Sequence, residues 1–167
     1  MKKLLILAAF TLLAVACGGG SSSWSVNYKG KNVKFDKMIG YANFRPDLQQ
    51  GQIVIANFEP KIESESVMGI PDTQKAGEAF VGIYFKTNNQ ADYKNSVKPG
   101  EISEIGSVWI SNGDTKDRVS FAEGGKTAGK LVITEVTETT IKGNINITKG
   151  DSSVSGPFEA KIIKKTP

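Results

Sequence analysis

Ile141, Gly143, Ile145 and Ile147 alternate with Lys142, Asn144, Asn146 and Thr148, a period of two that only an extended strand with one buried face satisfies. Gly150-Asp151 follows as a two-residue turn with glycine first, and a second alternating run follows the turn. Counting back across the turn sets Ile147 opposite Val154, Ile145 opposite Gly156 and Gly143 opposite Phe158. A Phe ring across from a glycine fills the gap that glycine leaves in a pleated surface. Pro157 cannot donate to a ladder, so it predicts an edge or a bulge in the final strand.

The same pattern opens the chain after residue 23. Trp24, Val26 and Tyr28 alternate with polar residues, Gly30-Lys31 reads as a turn, and Val33 and Phe35 alternate again. This register predicts Tyr28 opposite Val33 and Val26 opposite Phe35. Upstream of the last hairpin, residues 130–136 pair back across residues 137–140, placing Val132 and Val136 on the face of Ile145 and Ile141. Further strands are expected at 38–44, 52–58, 79–86, 105–110 and 118–122. In 79–86 both faces are apolar, which predicts a central position. No segment holds a helical period over three turns. The fold class is therefore all-β, a small antiparallel barrel or a two-sheet sandwich of about ten strands.

Two breaks are long, residues 59–77 and 87–101, and loops of that length are commonly functional or disordered. The first carries Ile62, Val67, Met68 and Ile70. Met68 and Ile70, beside Gly69 and Pro71 in a stretch without strand alternation, are the residues expected to meet a ligand or a partner. The two loops leave the 79–86 strand at opposite ends.

Residues 1–16 have a different character. Lys2 and Lys3 precede an apolar run from Leu4 to Leu13 and small residues at Ala14 and Ala16, which is the pattern of an export signal. The run is short for a bilayer span, and flexible Gly and Ser follow it. Ala14-Val15-Ala16-Cys17 resembles the lipobox of bacterial lipoproteins, with Ala14 where Leu is commonest. The resemblance implies cleavage before Cys17 and diacylglycerol on its thiol, giving three parts: residues 1–16 removed, residues 17–23 as lipidated cysteine and tether, and residues 24–167 as one β domain. Several acyl chains give stable anchoring in a bilayer. Gly18, rather than Asp, after the cysteine implies the outer membrane, by analogy with enteric lipoproteins. Cys17 is the only cysteine, so no intramolecular disulfide can form and the core must supply stability.

Composition removes whole classes of function. Without histidine there is no imidazole base, no Ser-His or Cys-His nucleophile, and no imidazole for zinc or copper. The 21 basic and 17 acidic residues become 19 and 17 without Lys2 and Lys3. Such a balance, with dispersed lysines, is not that of a nucleic-acid binder. Lys161, Lys164 and Lys165 read as a solvated strand end. Gly124 to Lys130, GGKTAGK, fits seven places of a phosphate-binding loop, but Leu131 replaces the magnesium-binding hydroxyl and a strand pattern follows, so a turn is expected. Asn146-Ile147-Thr148 matches a glycosylation acceptor inside a strand pattern.

Asn112, Asp114 and Asp117 lack calcium-loop spacing, and Glu59, Glu63, Glu65 and Asp72 show no sign of a paired acid and base. Ser22 stands where the Gly-x-Trp opening of lipocalins would need glycine before Trp24. The reading that follows is a non-enzymatic envelope lipoprotein with no cofactor and no metal. Its β domain binds a small apolar ligand or an envelope protein, or serves only as a structural or display head; the third and least favoured reading is a hydrolase that works without histidine.

Overall fold

The computed structural model describes residues 24–60, 75–87, 96–114, 117–123 and 126–163. These form an all-β domain. The chain opens with the hairpin β1 (Ser25–Tyr28) and β2 (Lys31–Val33), then the antiparallel run β3 (Ile39–Arg45), β4 (Gln50–Ala56) and β5 (Ala79–Lys86). A short β6 (Gly100–Glu101) leads into β7 (Ile105–Asn112) and β8 (Asp117–Ser120), and β9 (Ala122–Glu123) pairs with β10 (Lys126–Thr127). The long strands β11 (Lys130–Val136), β12 (Thr140–Lys149) and β13 (Ser152–Ile162) end the domain.

Apart from the β9–β10 pair, the strands belong to one eleven-stranded sheet, ordered β6-β11-β12-β13-β3-β4-β5-β7-β8, with β1 on β13 and β2 on β1. The sheet curls because consecutive strands serve distant neighbours. Glu101 of β6 pairs with Val132 of β11, whereas β7, three residues further on, pairs with β5. Residues 102–104 continue both ladders: Ile102 N–H donates to Leu131 O at 2.8 Å and Lys86 N–H to Glu104 O at 3.0 Å. This is a barrel-like closure, and the long β12 and β13 form its wall.

One contact departs from the antiparallel expectation. β13 meets β3 in parallel, with Lys161 opposite Tyr41 and Ile162 opposite Ala42. The same edge of β13 takes β1 antiparallel at Ser153 to Ser155. Between the two partners lie Gly156, with φ of 128°, and Pro157. Glycine adopts that conformation without a Cβ clash, and a residue with no N–H is tolerated where the second edge has no partner. The expected edge is thus local, inside a strand paired along its whole other side with β12.

The last hairpin has the predicted register, Ile147 to Val154, Ile145 to Gly156 and Gly143 to Phe158, and β5 is central between β4 and β7. The first hairpin is corrected by two residues: Val26 faces Val33, Asn27 faces Asn32 and Tyr28 faces Lys31. The turn is Lys29-Gly30, with φ of 49° and 76°. Two positive φ values mark the primed turn whose twist matches the strands it joins, and it outweighs the poor fit of lysine to the first position.

Val132 is corrected as well. A bulge at Thr134, between Ile133 and Glu135, reverses the alternation. Leu131 and Ile133 are therefore the buried residues, Val132 is only half-buried, and Val136 keeps its place opposite Ile141.

Inward-facing side chains from nearly every strand meet in one core that includes Val26, Tyr28, Ile53, Ile83, Ile110, Leu131, Ile145 and Val154, all 2 % exposed or less. Among the described residues these side chains form one continuous buried core. A smaller group, Val54, Ala56, Phe80 and Trp109, lies on the other face of the same strands. Ring-over-glycine packing recurs three times across strands: Phe158 over Gly143, Phe85 over Gly51 and Trp109 over Gly82.

Candidate functional site

A polar hydrogen-bond network lies at the rim where β4 ends, β5 begins and β7 ends. Asn57 follows β4, and its side chain joins three segments. Its Nδ2 donates to Gly77 O at 2.9 Å and to Lys34 O at 3.1 Å, while its Oδ1 accepts from Ala79 N–H at 2.8 Å. Asp114 Oδ1 accepts from Gly77 N–H at 2.6 Å, and Asn112 Oδ1 accepts from Asp114 N–H at 3.0 Å. Glu78 O accepts from Gly113 N–H, and the Glu78 carboxylate from Lys75 N–H. Both flanks of residues 61–74 are thereby pinned to one rim.

Beside this network is an open cleft of about 480 Å³, walled by the β1–β2 hairpin on one side and by Gly77, Asn112 and Asp114 on the other. Among the described residues Lys29, Lys31 and Lys34 line it, together with Asp114. The hairpin is itself anchored: Lys29 N–H donates to Ser152 Oγ at 3.0 Å and Gly30 N–H to Asp151 O at 2.8 Å. Two other clefts among the described residues are more open. One, of about 300 Å³, runs beside Leu48, Tyr84 and Glu104, and one of about 560 Å³ lies between Met38, Thr139 and Lys161.

Cys17, Met68 and Ile70 lie outside the described residues, as do Glu63, Glu65, Asp72, Lys164 and Lys165. Glu59 accepts a hydrogen bond from the Tyr41 hydroxyl. That bond, with partial burial and the Glu59 charge, raises the Tyr41 pKa above the ordinary tyrosine value. Asn112 and Asp114 spend carboxamide and carboxylate oxygens on backbone N–H groups, as turn-forming side chains do. Thr127 lies in β10 and β11 begins at Lys130, so no helix N-terminus follows the glycine-rich stretch. Asn146, Ile147 and Thr148 lie within β12 and Lys161 is exposed at the end of β13.

On the outer face, the Trp109 indole stacks on Tyr84 at 4.9 Å between centroids, with the Arg118 guanidinium 5.7 Å from its centre. Burial raises the Tyr84 pKa and Arg118 opposes that rise. This stack covers Gly82 and is a packing device.

Asn57 and the lysine wall are not singled out by the sequence. An asparagine after a strand reads as a turn residue, and its partners stand at least 20 positions away. Among the described residues no group of three or more Cys, Asp or Glu is placed to hold a metal. Comparison with family models, curated proteins and solved structures finds no match to this chain.

Proposed function

We propose that this chain is a bacterial envelope lipoprotein, held in the outer membrane by lipid on Cys17, whose β domain is a non-enzymatic head that meets a partner protein through its outside. The observation that supports a partner over an internal ligand is the continuous core among the described residues. Core side chains from β1, β4, β5, β7, β11, β12 and β13 pack together in the interior, the region where a lipid-binding barrel holds its cargo. Binding then falls to the rim and its loops. The hydrogen bonds that hold Asn57 and Gly77 on either side of residues 61–74 support a role for Met68 and Ile70, because ordered neighbours lower the entropic cost of binding.

The test uses the mature protein in its own membrane with a photo-crosslinking residue at position 68. The reading expects one discrete protein adduct that disappears when Ile70→Asp is added, while the unfolding midpoint moves little. It also expects no apolar molecule beyond the anchor in native mass spectra. A stoichiometric apolar ligand in those spectra, or a large loss of stability in Met68→Asp/Ile70→Asp, would overturn it.

A further inference from the structure

We propose that residues 31–38 rest on the anionic headgroups of the membrane that holds the chain, so that the domain is oriented on its anchor; this builds on the lipid-anchor reading of Cys17. The position of Trp24, a few residues after Cys17, points to this surface. Continuing the β1–β2 register sets Trp24 opposite Phe35, and the two rings meet edge to face at 6.3 Å. The tether therefore joins the domain beside the segment that runs from β2 to β3.

That segment has two characters. Val33 and Phe35 pack against the core. Lys31, Lys34 and Lys37 are exposed with one acid, Asp36, and Met38, a large apolar side chain, is 38 % exposed beside them. Asn57 holds the Lys34 carbonyl at 3.1 Å, which ties this segment to the end of β4.

Seven steps separate Cys17 from Trp24, a reach of at most about 25 Å extended and roughly 15 Å as a Gly/Ser coil. The field of an anionic leaflet decays over about 8–10 Å, and a patch beside the tether enters it repeatedly. Each lysine near such a surface strengthens association about fivefold. Lysines on an edge strand such as β2 also discourage pairing with other chains, but that role does not explain an exposed methionine next to Lys37. A cation beside an apolar side chain suits the headgroup boundary.

The test places the mature lipidated chain on vesicles of phosphatidylcholine alone or mixed with phosphatidylglycerol, and follows amide hydrogen exchange at about 0.05 M and about 0.5 M salt. Amides of residues 31–38 should slow at least about fivefold on the anionic vesicles at low salt. The protection should vanish at high salt and in Lys31→Gln/Lys34→Gln/Lys37→Gln, with β12 and β13 unchanged. Equal exchange on both vesicles overturns the proposal while leaving the anchor intact. Protection by inorganic phosphate over phosphatidylcholine would overturn it in favour of a small-anion site. Release of the unsubstituted chain from both vesicles on washing would refute the anchor and the proposal with it.

Discussion

Gly82 illustrates how much of this fold rests on single residues. It faces Trp109 directly across the β5–β7 ladder, and a Cβ there would enter the indole. The indole has no easy retreat, because Tyr84 stacks on it and it is only 5 % exposed. Overpacking of this kind costs about 1–3 kcal/mol. Gly82→Ala should lower the urea midpoint accordingly, whereas Gly106→Ala, whose Cβ would find its nearest atom at an ordinary 3.7 Å, should move it much less. Equal midpoints for the two variants would mean that Trp109 is not held where the structure has it. Of the three ring-over-glycine pairs, only Gly143 with Phe158 is legible in the sequence, because a short turn fixes its register. Gly51 with Phe85 and Gly82 with Trp109 are separated by long connections that no local counting crosses.

Among the elements, the two hairpins show what decides register. At Gly150-Asp151 the glycine has φ of 58°, and alternation on both sides allows one pairing. At the first hairpin, alternation alone permits either Val33 or Phe35 opposite Val26, since both keep the apolar face inward. The turn settles it in favour of Lys29-Gly30, placing lysine at φ of 49°. Asparagine tolerates that conformation better, by roughly 1 kcal/mol. Lys29 also stands 5.4 Å from the centre of the Tyr28 ring, a contact worth roughly 0.5 kcal/mol at an exposed site. The turn effect wins. Lys29→Asn should therefore stabilise the domain by about 0.5 kcal/mol in chemical denaturation, while Lys31→Asn, inside β2, should not. The opposite ordering would restore the Gly30-Lys31 turn. The Thr134 bulge and the parallel β13–β3 contact were equally hidden, since one is an unpaired residue in a good strand pattern and the other joins segments about 120 positions apart.

At the scale of the whole molecule, the sheet curls through the short step from β6 to β7, gathers most of its described apolar side chains into one main core and carries a hydrogen-bonded network at the rim around Asn57. The all-β class was legible because period-two patterns with turn residues between them allow little else. The rim was not, since Asn57, Asp114 and the lysine wall act together only after folding. Cys17, Met68 and Ile70 were singled out by local pattern and lie outside the described residues, so their roles rest on chemistry that experiment must supply. The proposed lipid anchor on Cys17 is the claim on which the rest of the functional proposal depends. Intact and peptide mass spectrometry of the protein purified from its native membrane tests it most directly. The account predicts a mature chain beginning at Cys17 whose N-terminal peptide carries diacylglycerol. A chain beginning elsewhere, or an unmodified Cys17, would contradict it.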